Sequence, residues 1–199
     1  IIVGNKFEPG LGGGICQVSS TLYNSVLLAG LSIVERHNHN LAVAYVPLGR
    51  DATVAYGIQD FKFKNNTEHP VYIWAVTAGG RLTISIYGNL VNKQKTNIYN
   101  IIDKTLDFTT VFEEDSTLEP GTEKIAHGGQ NGYVVRSFRS FLGSDGAIIK
   151  TEQLATDTYR PLNKVVLQGP APEPVFVDEP PTPDPEKPKI PQPSAPDQE

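Results

Sequence analysis

The chain has no methionine and a single cysteine, Cys16, among its 199 residues. One thiol cannot form an internal disulfide. Cysteine usage is therefore silent on the redox compartment, and Cys16 stays open as nucleophile, metal ligand or buried packing residue. No apolar run is long enough to span a bilayer. The chain opens in mid-pattern on Ile1-Ile2-Val3-Gly4 without an initiator, which reads as a fragment or processed product. A signal peptide or membrane anchor is expected, if anywhere, ahead of Ile1. An excess of positive charge is also missing. The seven acids and two lysines from Pro170 onward carry the whole net charge of −5, and the residues before them are neutral, which argues against nucleic acid as a partner. That terminal stretch has no glycine and few large apolar side chains, yet it holds 11 of the 16 prolines. It cannot bury enough surface to offset its ordering entropy, so 170–199 is expected to be a disordered, extended tail.

What is present before the tail divides in two. Gly12-Gly13-Gly14 opens a flexible loop, and the apolar positions Val18, Leu22 and Val26 then recur every four residues. That spacing predicts an amphipathic helix stopped by Gly30, with Cys16 at or just before its N-terminus and Ser19 as an alternative cap. Strand signals follow at 32–37, 41–46 and 52–58, at Phe61 and Phe63, and at 71–77 and 82–87 around the turn Ala78-Gly79-Gly80-Arg81. The expected fold is α+β over 1–88, one N-terminal helix packed on an antiparallel sheet. A polar connector over 89–96 leads to a small extended all-β domain over 97–169, with strands expected at 105–112, 133–141, 147–154 and 165–167.

Three polar motifs punctuate the first domain: Gly14-Ile15-Cys16-Gln17, Arg36-His37-Asn38-His39 and Gly49-Arg50-Asp51. A thiolate at a helix N-terminus is stabilised by the helix dipole and by unpaired backbone N–H groups. The same groups, near Gly14 and Cys16, would serve an oxyanion if Cys16 attacked a carbonyl. A histidine on a neighbouring strand activates such a thiol, and a carboxylate orients the histidine. Cys16, then His39 or His37, then Asp51 is the order a papain-like or transglutaminase-like site requires, with His39 favoured as the base. Each residue also has an ordinary structural use: Cys16 as core, the histidines as buried or surface residues, Asp51 as a turn aspartate. Cys16, His37, His39 and Asp51 are zinc-ligand types but lack the paired spacing of a structural zinc site, so no metal or other cofactor is expected.

The stretches GGGICQVSSTLYNSVLLAGLSIVERHNHN, YVPLGRDATVAYG and DFKFKNNTEHPVYIWA resemble the VanW domain. The resemblance implies a bacterial cell-envelope protein, usually membrane-anchored, in a family first associated with glycopeptide-antibiotic resistance; it implies no reaction. The second unit, with Pro120-Gly121-Thr122-Glu123, Gly128, Gly132, Gly146 and the closing Val165-Val166-Leu167-Gln168-Gly169, resembles the five-glycine (G5) domain. That resemblance implies a surface β module that binds N-acetylglucosamine-containing wall glycans. Two functions follow as expectations. One is a cysteine-dependent hydrolase or transpeptidase acting on peptidoglycan, in which Cys16, His39 and Asp51 act and Gln17, Arg36 and Arg50 complete the motifs. The other is a non-catalytic wall-binding or adhesion module with a structural cysteine. Both place the chain outside the cytoplasm, at the cell envelope.

Overall fold

In a computed structural model of the chain, residues 12–172 are described, together with the backbone of two short antiparallel strands, β1 (Ile2–Val3) and β2 (Lys6–Phe7). The tail expected to be disordered lies, from residue 173 on, outside the described residues. Helix α1 (Ile15–Leu28) begins three residues before the apolar repeat. Gly30 ends it as the spacing predicts. With φ +74° it turns the chain so that Gly30 N–H bonds Leu27 O and Leu31 N–H bonds Val26 O, the pair of reversed bonds that closes a helix C-terminus.

β3 (Ser32–Glu35) pairs antiparallel with β4 (Lys62–Lys64), and β5 (Tyr72–Ala78) with β6 (Arg81–Tyr87). The Gly79-Gly80 turn of this hairpin has both residues at positive φ, the conformation that matches the twist of the strands it joins. The strands expected at 41–46 and 52–58 are absent. Apart from bridges at His37–Thr53 and Ala55–Gln59, this stretch makes no ladder. Its apolar residues Leu41, Ala42 and Ala52 are buried, and its backbone is bonded largely by side chains. Apolar and β-branched content there reports burial rather than pairing.

After a short turn of 3-10 helix (Leu90–Asn92), β7 (Lys95–Leu106), β10 (Gly132–Leu142) and β11 (Ile148–Tyr159) form an antiparallel sheet ordered β11-β10-β7. A second sheet places β12 (Leu162–Gln168) between β8 (Thr110–Glu114), parallel to it, and β9 (Glu123–Gln130), antiparallel. The single strand expected over 105–112 is thus two, and β9 gives no apolar alternation to find it by. The architecture is one N-terminal helix with mostly antiparallel sheets, as the residue patterns suggest.

Both hydrophobic cores draw on both sides of the 89–96 stretch. Tyr23, Leu27 and Ala52 pack with Ile98 and Leu154, and Ala42 packs with Val135 and Tyr159. Arg139 of β10 is buried and donates to the carbonyls of Leu27 and Leu31 at 3.3 and 2.8 Å. A cation there adds a donor just past the helix end and complements its dipole.

Gly49 is the tightest point between the two halves. It has φ +76°, and a Cβ built on it would lie 2.1 Å from Ser137 Oγ of β10. Conformation and space both demand glycine. Gly49→Ala is expected to lower the free energy of unfolding by about 1–3 kcal/mol through backbone strain alone, with more from the clash; urea unfolding of the two chains measures it.

Candidate active site

Cys16 occupies the first turn of α1, two residues after the N-cap Gly14. Gly14 O accepts from the amides of Gln17 and Val18, while Cys16 N–H bonds no described residue. The helix presents three polar side chains to the unpaired 50–54 segment. Ser19 Oγ donates to Ala52 O at 2.6 Å, Ala52 N donates to Ser20 Oγ at 2.9 Å, and Asn24 Nδ2 donates to Arg50 O at 2.8 Å. Serine and asparagine are poor mid-helix residues. Here they replace the ladder that this segment lacks, and they bring Thr53 and Val54 over the thiol. Cys16 Sγ lies 3.5 Å from Thr53 Oγ1 and donates to Val54 O at 3.7 Å.

His39 and Asp51 form the buried end of the site. Asp51 is 1% exposed, and its carboxylate accepts four hydrogen bonds. Oδ2 takes His39 Nδ1 at 2.6 Å and the His39 amide at 2.7 Å; Oδ1 takes Arg36 Nη2 at 2.9 Å and Tyr159 Oη at 2.5 Å. That fills the lone-pair sites of a carboxylate. Arg36 also donates through Nε to Asp51 O and through Nη1 to Asp157 Oδ1. With Nδ1 engaged, the His39 ring turns Nε2 toward Tyr45 Oη, 3.4 Å away, and the ring lines the same cleft as the Cys16 thiol.

The electrostatics follow from these contacts. Burial pushes the Asp51 carboxyl up, but the His39 bond, the Arg36 charge and the Tyr159 hydroxyl outweigh it and hold the group below the usual carboxylate range. Burial opposes charge on His39 too, and the Asp51 carboxylate reverses this, raising the imidazole above its ordinary value. For Cys16, partial burial raises the thiol, whereas the Val54 backbone, Thr53 and His39 together lower it by more. The arrangement favours a thiolate at lower pH, and an imidazolium at higher pH, than either group would show alone.

Not every expected residue joins this chain of bonds. His37 is half-exposed, with Nε2 3.3 Å from Glu35 Oε1; β3 ends before it, so His37 and His39 share no strand face. Arg50 bonds Asn24 Oδ1 and shapes the segment leading to Asp51. Gln17 N–H helps close the first turn, and its carbonyl accepts from Thr21 Oγ1. Three residues escaped sequence reasoning: Tyr45, Asp157 and Tyr159. Only Tyr45, close after the His39 motif, gave a signal that could have been used. Among the described residues no cluster of three or more His, Cys, Asp or Glu side chains could hold a metal ion, and no helix is long and apolar enough to cross a membrane.

Cys16, His39 and Tyr45 line an open cleft of about 1020 Å³, with Gly12 and Gly13 on one side and the 53–60 segment on the other. At its rim Ala55 and Gln59 exchange backbone hydrogen bonds of 3.0 and 2.9 Å, closing a turn that holds Tyr56 and Ile58 out in solvent.

Residues 1–87 match the family model described as VanW like protein, and residues 100–171 match that of the G5 domain. The chain is similar to the uncharacterized protein YoaR of Bacillus subtilis (strain 168), at 52% identity over 89 residues, 45% of this chain and 29% of that protein. It is also similar to the vancomycin B-type resistance protein VanW of Enterococcus faecalis (strain ATCC 700802 / V583), at 26% identity over 112 residues, 54% of this chain and 40% of that protein. The chain thus spans less than half the length of these curated relatives. Two solved structures are similar as well. The IgA1 protease G5 domain is 23% identical, with TM-score 0.29, over 40% of this chain and 92% of its own. HP0197-G5 is 18% identical, with TM-score 0.22, over 38% and 97%.

The pH dependence of the buried pair has a defined sign. The lowered Asp51 contributes stability that is full above its unfolded pKa and lost as pH falls through its folded value. The raised His39 contributes stability that is full below its unfolded pKa and lost as pH rises through its folded value. Together they stabilise most between about pH 4 and 6.5. Asp51→Asn is expected to cost about 3–5 kcal/mol in that window, as breaking a buried ion pair does, and to flatten the dependence; urea unfolding as a function of pH checks both.

Proposed function

We infer that this chain, a VanW-like region over 1–87 followed by a G5 domain over 100–171, belongs to a bacterial cell-envelope enzyme that transfers acyl groups through Cys16. The observation that carries the reading is the bond from a fully satisfied, buried Asp51 to His39, whose ring shares one cleft with a half-buried thiol at a helix N-terminus. A carboxylate satisfied on all sides cannot take the histidine proton and keeps its charge, so its effect falls on the ring. The substrate class is an amide or ester of a cell-wall peptide. The relative whose name carries vancomycin resistance supports the wall as its source. The G5 domain supports wall glycan containing N-acetylglucosamine as the partner that holds the enzyme at its substrate, outside the cytoplasm.

In this mechanism the Cys16 thiolate adds to the scissile carbonyl carbon. The oxygen gains the electron pair and is met by the Cys16 N–H, which bonds no described residue, at the positive end of α1. When the carbonyl re-forms, the C–N or C–O bond breaks, and the leaving amine or alcohol takes the proton from His39 Nε2. A thioester on Cys16 remains. Water or an amine then attacks it with His39 taking the proton, giving hydrolysis or transpeptidation and restoring the thiol. Tyr45 Oη, near Nε2 in the cleft wall, is placed to bond substrate or attacking water.

The thiol contacts with Thr53 and the Val54 carbonyl favour a second reading, a structural cysteine in a non-catalytic wall-binding module. Alkylation of the folded chain followed against pH separates the two. The enzyme reading expects an inflection below the ~8.5 of a free thiol and labelling that persists under mildly acid conditions. His39→Ala should move the inflection upward and slow labelling at pH 6.5 by about tenfold for each pKa unit moved. Labelling that appears only on denaturation assigns Cys16 a packing role.

A further inference from the structure

We propose that the three-stranded sheet β7-β10-β11 of the G5 domain positions the histidine and the carboxylate of the VanW-like region, with Tyr159 and Asp157 of β11 as the positioning residues. The inference rests on the enzyme reading above and extends it, because it gives the second domain a part in the first domain's chemistry besides wall binding.

All three strands grip the loop that carries Asp51. Asn100 of β7 donates to Leu48 O at 2.8 Å, and Ser137 of β10 donates to Gly49 O at 3.0 Å. Tyr159 of β11 accepts from Gly49 N at 2.7 Å while donating to Asp51 Oδ1. The end of β11 also brackets His39. Asn38 Nδ2 donates to Thr158 O at 3.0 Å, and Arg160 N donates to Asn40 O at 2.7 Å. The histidine and the aspartate are therefore spaced by a strand more than a hundred residues away in sequence.

Charge gives the sheet a second effect. Arg36 sits between two carboxylates, Asp51 and Asp157, with Tyr23 under its guanidinium. Without Asp157, the Arg36 charge would cancel that of Asp51, and His39 would face a neutral pair. Burial raises the Asp157 carboxyl and the Arg36 ion pair opposes that rise; when Asp157 is ionised, the buried group of Arg36, Asp51 and Asp157 carries one net negative charge toward the ring. Tyr159 remains a neutral donor, since burial and the adjoining Asp51 anion raise its pKa. Around His39 the charged and titratable neighbours are thus Cys16, Asp51 and Tyr45, with Arg36, Asp157 and Tyr159 one contact further out.

The test uses the full chain and reads Cys16 alkylation against pH together with the His39 ring titration by NMR. Asp157→Asn keeps an oxygen for Arg36 and removes the charge, so the His39 titration should move down, the thiol inflection up, and labelling at pH 6.5 should slow about three- to tenfold. Tyr159→Phe keeps the ring in its core beside Ala42 and Val135 and removes the hydroxyl that fixes Asp51 and Gly49. It should slow labelling in the same direction. Asp103→Asn removes an equal charge from a solvent-facing ion pair between β7 and Arg136 of β10 and should leave the profile unchanged. A wild-type inflection below the free-thiol range that neither variant moves would overturn the positioning role and leave the enzyme reading intact. An ordinary wild-type inflection would instead remove the enzyme reading itself. Loss of folding in both variants would assign Asp157 and Tyr159 a structural role only and overturn the proposal.

Discussion

A carboxylate with almost no exposure to water is the constraint around which this molecule is arranged. Burying an ionised group is expensive unless it is paired and fully hydrogen-bonded. The Asp51 carboxylate meets that demand with four donors taken from three parts of the chain: His39 twice, Arg36 and Tyr159. Each donor brings a requirement of its own. Arg36 is buried and needs a second acceptor, which Asp157 supplies, and Tyr159 needs a donor for its oxygen, which the Gly49 amide supplies. The Gly49 amide is reached only because residue 49 has no side chain. The satisfied carboxylate thus propagates into a loop conformation, a glycine and the docking of a whole sheet.

The helix answers a different need. The chain over 38–60 is buried on the apolar side but forms almost no ladder, and buried backbone groups must still be bonded. Ser19, Ser20 and Asn24, spaced along one stripe of α1, bond the backbone at 50 and 52 as a neighbouring strand would. The run Val18-Ser19-Ser20-Thr21-Leu22-Tyr23-Asn24 lowers intrinsic helix propensity. It persists because its polar members face the segment that ends in Asp51 and Thr53, while Tyr23 and Leu27 enter the core.

How much of this was legible in the residues depends on the range of the interaction. Cys16, His39 and Asp51 could be picked out because a thiol after a glycine run, a histidine and a carboxylate are rare enough in 51 residues to suggest chemistry. The choice of His39 over His37 was weaker. The contacts that distinguish them, the Asp51 carboxylate against an exposed Glu35, have no sequence marker. The start of α1 was read at or just after Cys16, slightly late, because Ile15 precedes the regular apolar spacing. The stretches at 41–46 and 52–58 were misread as strands because composition records burial, whereas side chains over thirty residues away bond part of their backbone. Asp157 and Tyr159 sit in an unremarkable strand, Thr156-Asp157-Thr158-Tyr159. Their partners lie 108 to 121 residues away, a distance across which no local pattern can signal.

The site also has a gradient of exposure that bears on how a buried charge acts on a solvent-facing cleft. Asp51 is 1% exposed, His39 is 6% exposed and the thiol is half-buried, opening on the cleft. Coulomb interactions strengthen as water is excluded, so the carboxylate acts on the imidazole where screening is least. The imidazole and the thiol both line the cleft, where solvent can enter. Reversing the order would leave a screened carboxylate and a thiol raised by burial, with no access for a carbonyl. A polar core of this kind contributes little net stability compared with an apolar one of the same volume. Its geometry is what the surrounding sheet, helix and glycine preserve.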